Sequence, residues 1–278
     1  MEGMGNQMFQ YALYQALLAQ GKEVKLDRAR YTHIDNKRKC ILDYECFELK
    51  YRLCSSKEAR QYMLGTGMTA RVLMRVFGDK STHYYEKSEY EYDPYVMQLQ
   101  EGYLDGFWQS WKYFENIELQ IRKLFKFKSK LSEKNKLFVN QIRGTNSVAV
   151  HVRRGDYLKL EAIYGNICTI EYYNRAIDVI NQTIEHPTFY FFSNDMEWTR
   201  SIFGCKENYI YVEGNGEDSG DIDMQLMSEC RHQIIANSSF SWWAAYLNDN
   251  VQKKVICPER WVNTKMTPDV YCRDWIKI

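Results

Sequence analysis

The stretch Ser147-Val-Ala-Val-His-Val-Arg-Arg-Gly-Asp156 places two arginines directly after an apolar run rich in β-branched residues. Such a run predicts a buried strand that stops at Arg153. Guanidinium groups bind phosphate oxygens through paired, planar hydrogen bonds, so the end of this strand is a candidate pyrophosphate site. For two adjacent arginines considered alone, a pair of surface salt bridges is the alternative.

The chain around this stretch alternates between short apolar runs and helical patterns. Strands are predicted at residues 147–152, 188–193, 208–212, 233–236 and 254–257, and helices at 170–184, from 196, at 221–230 and at 239–247. This alternation indicates a parallel sheet with helices on both faces, which is an α/β architecture.

Three of the predicted strands end in polar segments, namely 153–156, 193–195 and 237–241. Ligands of parallel α/β sheets bind at the carboxyl ends of the strands, where these segments are expected to converge. Alternation along the first strand puts His151 on the same side as Arg153, within reach of a ribose or base. A structural, buried histidine is the alternative for His151.

The two other polar segments have a binding and a structural interpretation. Asn194 and Asp195 offer acceptors for a ribose hydroxyl or a base edge, or cap a helix. A helix N-terminus with free N–H groups binds anions, and it is also a common place for ordinary capping. The residues concerned at that second helix start are Asn237, Ser238, Ser239 and Ser241.

Metal binding is not expected. Asp221 and Asp223 form a D-x-D pair, but they lie at the start of a predicted helix, where acidic residues stabilise the macrodipole. Glycine-rich nucleotide loops and the G-x-S-x-G nucleophile turn are both absent from the sequence. Trp242 and Trp243 are predicted to be core residues.

The amino-acid composition limits the kinds of partner that we expect for this protein. Lys plus Arg (37) balance Asp plus Glu (36), so we expect no nucleic-acid partner. The eight cysteines contain no C-x-x-C pair and no apolar run approaches about 18 residues, which favours free thiols and no membrane span. We therefore expect a cytoplasmic protein, with peripheral contact at the inner membrane as the alternative.

The amino-terminal half is less regular. A glycine loop at Gly3–Gln7 is predicted to lead into a helix at Met8–Ala19 with Asn6 as its N-cap, followed by a strand at 23–27. Residues 68–77 indicate a core-facing basic helix, with a membrane-surface helix as the alternative. The lysine run from Lys123 to Lys136 indicates a solvated helix face near a domain boundary.

The motifs together resemble the α-1,2-fucosyltransferase family of bacteria and animals, glycosyltransferase family 11. The matching residues, which follow the family's order along nearly the whole chain, are Gly3-Met-Gly-Asn-Gln-Met-Phe-Gln-Tyr-Ala12, Gly106-Phe-Trp-Gln-Ser-Trp-Lys-Tyr-Phe114, His151-Val-Arg-Arg-Gly-Asp-Tyr157, Phe192-Ser-Asn-Asp195, Asp223-Met-Gln-Leu-Met-Ser228, Asn237-Ser-Ser-Phe-Ser-Trp-Trp-Ala244 and Pro258-Glu-Arg-Trp261.

The resemblance implies a GT-B-like fold with two Rossmann-like domains facing across a cleft. Residues 1–144 would form the acceptor-binding domain and residues 145–278 the GDP-fucose-binding domain. Members of the family usually carry an apolar strand of the kind V-x-L-x-G-G before the glycine loop. Only Met1 and Glu2 precede Gly3, so this first strand is expected to be short or missing.

The implied reaction is an inverting, metal-independent transfer of fucose from GDP-β-L-fucose to the 2-hydroxyl of a terminal β-galactoside, in glycan or O-antigen synthesis. GDP-fucose is then a substrate, the acceptor is a β-galactoside glycan, and no cofactor is expected. A transferase of another linkage or donor on the same scaffold, and a non-catalytic protein that binds nucleotide sugars or glycans, are the alternatives.

The site residues follow from the same resemblance. Arg153 would clamp the pyrophosphate with Arg154 beside it, while His151 and Asp195 would lie near the nucleoside and residues 237–241 around the phosphates. Asp156 is a second catalytic candidate. The acceptor or cleft residues would be Asn6, Gln7, Asp105 and Gln109. The catalytic base stays open between Asp156, Asp105 and Glu101.

Overall fold

A computed structural model describes residues 3–28, 40–43, 45–62, 82–154, 160–216 and 219–278. The chain divides into two compact units. The first consists of Met1–Tyr44, Glu48–Phe125 and Pro268–Val270, and the second of Glu45–Phe47, Lys126–Thr267 and Tyr271–Ile278. The functional division expected at residue 144 stays a prediction, because compactness does not show what each unit binds.

The first unit is built on helix α1, Met4–Ala19, of which twelve of 16 residues are buried, so its sequence carries little one-sided pattern. The predicted start at Met8 was wrong. Gly3 is the N-cap, and Asn6 lies inside the first turn, where its N–H donates to the Gly3 carbonyl over 3.1 Å. Burial of Met4 and Gly5 overrides the poor helix propensity of glycine.

The described part of the first unit also holds a two-stranded parallel sheet. Strands β1 (His83–Tyr85) and β2 (Tyr103–Asp105) pair in register. The helices around them are α2 (Ser56–Tyr62), α3 (Pro94–Gln98) and α4 (Glu118–Leu124), with 3-10 turns at Ile41–Asp43, Trp111–Tyr113 and Glu115–Ile117. The strand predicted at 23–27 is reduced to one bridge, Leu26 to Leu53, and residues 68–77 lie outside the described residues.

A carboxylate fixes the loop that follows β2. The Glu86 side chain accepts hydrogen bonds from the backbone N–H groups of Phe107 (2.6 Å) and Trp108 (3.0 Å). Trp108 adopts a φ of 58°, which non-glycine residues seldom do. A side chain at Gly106 would place its Cβ 2.4 Å from Glu86 Cβ, so only glycine fits between the loop and this carboxylate.

The second unit is built on a six-stranded, wholly parallel sheet of order β5-β4-β3-β6-β7-β8. Its strands are β3 (Asn146–Val152), β4 (Pro187–Ser193), β5 (Tyr209–Tyr211), β6 (His232–Ile234), β7 (Val255–Cys257) and β8 (Ile276–Lys277). Strand β3 lies between β4 and β6, and it pairs with β4 along all seven of its residues. The five predicted strands are confirmed, although β6 begins one residue before and ends two residues before its predicted bounds of 233–236, and β8 was not predicted.

Helices lie along both faces of this sheet, as predicted. They are α5 (Glu133–Gly144), α6 (Glu161–Tyr164), α7 (Ile170–Thr183), α8 (Met196–Phe203), α9 (Gly220–Glu229) and α10 (Ser239–Leu247). Val148, Val150 and Val152 pack in a buried cluster with side chains of α7 and α8. His151 points to the other face, where its ring lies 5.4 Å from that of Phe240 in α10.

The lysine run does not form one helix face. Lys123 belongs to the last turn of α4, while Lys134 and Lys136 belong to the first turns of α5. The chain between them is not helical, and Ser132 caps α5 by accepting from the Asn135 N–H. Trp242 and Trp243 are fully buried, as predicted.

We expect Gly106→Ala to lower the free energy of unfolding by about 1–3 kcal/mol, the usual cost of forcing atoms into a packed site. Gly144→Ala is the matched control, because a Cβ there meets nothing within 4 Å. Urea denaturation of both variants measures the difference. Equal stability of the two variants would contradict the packing assigned to Gly106.

Candidate functional site

Three strand ends of the second unit meet at one edge. Val152, the last residue of β3, pairs with Ser193, the last residue of β4, and Val150 pairs with Ile234 at the end of β6. The polar segments that follow therefore gather at the carboxyl edge of the sheet. The predicted convergence is confirmed for the parts of these segments that the structure describes, while residues 155–159, and with them Asp156, lie outside it.

Arg154 is bound to the neighbouring strand end. Its backbone N–H donates to Asn194 Oδ1 over 3.0 Å, and its Nη1 donates to Asp195 Oδ2 over 2.8 Å. The guanidinium carbon lies 4.6 Å from the centre of the Trp198 ring. Because the pair is about one-third exposed, its net stabilisation is modest. Its main effect is to orient Arg154 toward α8.

Asp195 has the capping role that the sequence left open. Its Oδ1 accepts the N–H of Trp198 over 3.2 Å, which caps α8, while Oδ2 holds Arg154. Asn194 is exposed. A nucleoside contact by either residue stays a prediction. The contact of Trp198 with Arg154 was not expected from the sequence. The signal that could have indicated it is the position of Trp198, three residues after the helix cap at Asp195.

His151 is a buried histidine with an unpartnered nitrogen. Only 4% of the residue is exposed, and Nδ1 has no hydrogen-bond partner among the described residues. Burial, and then the positive charge of Arg153, lower the pKa of His151 to about 3. The imidazole is therefore neutral near pH 7. An unsatisfied buried polar atom costs about 1–3 kcal/mol, which suggests a bound partner.

Arg153 lies half-buried at the same edge, directly after β3. A single residue separates it from His151, and its charge reaches the histidine ring. A guanidinium in a partly desolvated site attracts an anion more strongly than one in water. The location suits the pyrophosphate role expected of Arg153.

Asn237 is held by the protein itself. Its Nδ2 donates to the carbonyls of Trp261 (3.1 Å) and Tyr164 (3.4 Å), and its Oδ1 accepts the thiol of Cys168. It is 2% exposed. These contacts fasten the loop before α10, and a ligand contact by the Asn237 side chain stays a prediction.

The serines at the start of α10 differ in their surroundings. Ser241 is fully buried and donates to the carbonyls of Ala236 and Ser238. Ser238 occupies the N-cap position without a side-chain capping bond, and Ser239 is half-buried in the first turn. Ser238 and Ser239, rather than Ser241, are thus the hydroxyls placed near the helix start.

Two of the four acceptor candidates meet in the first unit. Gln109 Nε2 donates to Asn6 Oδ1 over 3.3 Å, and the neighbouring Gln10 Nε2 donates to the Gly106 carbonyl over 2.8 Å. Gln7 instead accepts the N–H of Ile41 over 2.7 Å and is 2% exposed. Gln7 is therefore an internal anchor of the first unit.

The candidate carboxylates of the first unit lie at opposite ends of β2. Asp105 closes the strand, and its Oδ2 lies 3.4 Å from His83 Nε2. Glu101 precedes the strand and accepts the hydroxyl of Tyr62 over 2.8 Å. Only Asp105 lies at the carboxyl edge, which is where ligands of parallel sheets bind.

The D-x-D pair lies in the first turn of α9, as expected. Asp221 accepts the Ser129 hydroxyl, and Asp223 Oδ1 accepts from Asn215 Nδ2 over 2.6 Å. Burial raises the pKa of Asp223 to about 6. Within the described ranges, no group of three or more His, Cys, Asp or Glu residues is placed to hold a metal ion.

The cysteines and the longest helices have two further properties. None of the eight cysteines, all of which are described, forms a disulfide. In the described part of the chain, no helix has the length and apolar character needed to cross a membrane.

The fold has a counterpart among solved structures. The fucosyltransferase NodZ from Bradyrhizobium is similar with a TM-score of 0.53 and 14% sequence identity, over 87% of this chain and 88% of that chain. At this identity the likeness concerns the fold alone. It confirms the GT-B-like α/β class, so the sheet edge with Arg153 belongs to a protein of glycosyltransferase architecture.

The sequence comparisons give the family. Residues 80–278 match the family model described as Glycosyl transferase family 11. An α-1,2-colitosyltransferase from Escherichia coli is 32% identical over 93% of this chain and 89% of its own length. The O-antigen biosynthesis glycosyltransferase WbnK from Escherichia coli is 29% identical over 99% of this chain and 98% of its own length. The human galactoside α-(1,2)-fucosyltransferase 1 is 32% identical over 52% of this chain and 42% of its own length.

The chain belongs to glycosyltransferase family 11. The resemblance to the α-1,2-fucosyltransferase family and the expectation of a transferase enzyme are thereby confirmed.

Asp223 predicts a pH dependence of stability. Its pKa is raised from the ordinary 3.8 to about 6, so the folded protein holds this proton more tightly than the unfolded chain. The stabilisation is present at low pH and is lost as the pH rises through about 6. Asp223→Asn should therefore be more stable than the wild type above pH 6, by up to about 3 kcal/mol, since one pKa unit corresponds to about 1.4 kcal/mol.

Thermal melts of both proteins between pH 4 and pH 8 measure this difference. The gain in Tm of Asp223→Asn should shrink as the pH falls below about 6. A difference in Tm that does not vary with pH would contradict the buried, proton-binding state of Asp223.

Proposed function

We propose that this enzyme transfers L-fucose from GDP-β-L-fucose to the 2-hydroxyl of a terminal β-galactoside, with inversion, in glycan or O-antigen synthesis. The observation that carries the proposal is the cation at Arg153, placed directly after the central strand beside His151 Nδ1, which has no hydrogen-bond partner in the described part of the chain. The names of two relatives include an α-1,2 linkage, which supports the 2-hydroxyl as the group to which the sugar is transferred.

Arg153 would act on the leaving group. During transfer the bond between fucose C1 and the β-phosphate oxygen breaks, and its electron pair stays on the departing GDP. The galactose 2-oxygen bonds to C1 from the opposite face and gives up its proton to a base. A fixed guanidinium at the phosphate offsets the growing negative charge, which is worth about 3–4 kcal/mol for a single well-placed donor.

In this proposal Arg153 takes the place of a metal ion at the diphosphate. Because Arg153 supplies positive charge at the diphosphate, the proposed transfer needs no metal ion and should proceed in the presence of a chelator. In this proposal Arg154 is the positioning partner that holds Asn194 and Asp195 at the neighbouring strand end.

The position of the carboxylates supports Asp105 over Glu101 as the proton acceptor. Asp105 lies at the carboxyl edge of its sheet, whereas Glu101 lies at the amino end and is bonded to Tyr62. Asp156 stays the other candidate, and a bond between its carboxylate and an arginine would make it a weaker base.

Transfer of colitose is a second candidate, favoured by the relative named α-1,2-colitosyltransferase. The test is a screen with fucose and colitose donors against lactose, with the product linkage determined by NMR. An α-1,2-fucosylated product supports the proposal. A different sugar or linkage favours another transferase on this scaffold, and GDP binding without product favours a non-catalytic protein.

Arg153→Ala and Arg154→Ala should differ. We expect Arg153→Ala to lower kcat at least about a hundredfold with little change in Tm, because it removes a donor to the developing charge. Arg154→Ala should lower Tm and raise the KM for the donor, with a smaller loss of kcat. If Arg153→Ala turned over nearly as fast as the wild type, the assignment of the donor site to this edge would be wrong.

His151→Phe tests the unpartnered nitrogen. The ring contact with Phe240 is kept while Nδ1 is lost, so GDP should bind about tenfold more weakly, as expected for one hydrogen bond. His232→Phe is the matched control. His232 is also buried, but its Nδ1 accepts the Lys254 N–H at the amino end of β6.

Isothermal titration of GDP into both variants gives the comparison. His232→Phe should keep the affinity for GDP, although it loses stability. If both variants bind GDP as the wild type does, His151 has a structural role only.

A further inference from the structure

The carboxyl edge of the first unit's sheet brings an aromatic ring and a carboxylate together. Strands β1 and β2 are parallel and end in register, with Tyr85 paired to Asp105 and His83 paired to Tyr103. Residues paired in this way, and those two positions apart along a strand, share one face of the sheet. Tyr85, Asp105, His83 and Tyr103 therefore form one group at that edge.

The ring of Tyr85 is supported from behind. It stacks on the His83 ring with 4.1 Å between centroids and 24° between planes. His83 in turn is buried and meets the Tyr103 ring edge-on at 5.1 Å. Tyr85 nevertheless keeps 36% of its surface exposed. The result is a pre-oriented aromatic surface that is accessible to a ligand.

The carboxylate beside this ring is also held in place. Asp105 Oδ2 lies 3.4 Å from His83 Nε2, and the Asp105 side chain is 12% exposed. A hydrogen-bonding group next to a flat ring is the feature of a site for a polar ligand that has one apolar face.

We propose that Tyr85 is the platform for the acceptor galactose and thereby determines acceptor specificity. In a β-galactoside the axial 4-hydroxyl leaves the C–H groups of C3, C4 and C5 on one face of the ring, and this face packs on an aromatic side chain. Asp105 accepts hydrogen bonds from the sugar hydroxyls. This inference rests on the proposed function, since it assumes that the acceptor is a β-galactoside.

Exposure alone does not distinguish Tyr85. Tyr51, in the same unit, is also 36% exposed. Tyr51 has no ring contact within the described ranges, and it belongs to neither β1 nor β2 but to the segment before α2. It therefore provides a matched control for the removal of an exposed tyrosine ring.

The experiment compares Tyr85→Ala, Tyr85→Phe and Tyr51→Ala in transfer from GDP-fucose to lactose. Tyr85→Ala should raise the KM for lactose about tenfold, the scale of one lost aromatic contact, while the KM for GDP-fucose stays unchanged. Tyr85→Phe keeps the ring and should therefore show a smaller rise in the KM for lactose than Tyr85→Ala, while Tyr51→Ala should keep the KM of the wild type. If Tyr85→Ala does not fold, Tyr85→Leu replaces it, since it keeps apolar volume but not the flat ring.

An unchanged KM for lactose in folded Tyr85→Ala, or an equal rise in Tyr51→Ala, would overturn the inference. Saturation-transfer NMR with lactose, and with maltose, which lacks galactose, measures sugar binding without transfer. It therefore tests the role of Tyr85 separately from the proposed function. If the wild type forms no fucosylated product but binds lactose through Tyr85, the proposed function fails and the platform stands. If neither lactose binding nor its transfer depends on Tyr85, the platform fails whatever the reaction.

Discussion

Strand β3 is hydrogen-bonded to a parallel neighbour along both of its edges and is buried on both of its faces. From Ser147 to Val152 every side chain of this strand is buried, and a buried strand has no room for an unpaired charge until it leaves the sheet. The first position with room for a charged group is the residue after Val152, and that residue is Arg153. The location of the cation is thus a consequence of the central pairing, and the polar groups after β4 and β6 gather around it.

Much of the second unit could be predicted because its local signals agree with its tertiary structure. The run at 188–193, for example, is apolar, rich in aromatic residues and preceded by Pro187, which favours a buried strand. The first unit offered weaker signals. Helix α1 is buried on most sides, so no stripe marked its start, and Gly5 resembled a loop residue. Strands of three residues, such as β1 and β2, carry too little pattern to be recognised without their partners.

In the candidate site, too, some features could be predicted from the sequence and others could not. Arg153 and His151 could be placed from the sequence, because one strand and its alternation determine both. The bond from Arg154 to Asp195 could not, because it joins residues 41 positions apart. The anchoring of Asn237 by Trp261 and Tyr164, and the support of Tyr85 by His83, likewise depend on contacts that arise only in the folded chain. These contacts identify the residues that hold the site in place.

In the proposed function, the carboxyl edge of β3 binds the diphosphate of the donor. A crystal structure of the protein with GDP tests it most directly. We predict that phosphate oxygens lie within hydrogen-bond distance of the Arg153 guanidinium and that the nucleoside lies within reach of His151 Nδ1. A nucleotide bound at the amino-terminal edge of the sheet, or one that leaves Arg153 and His151 untouched, would contradict it.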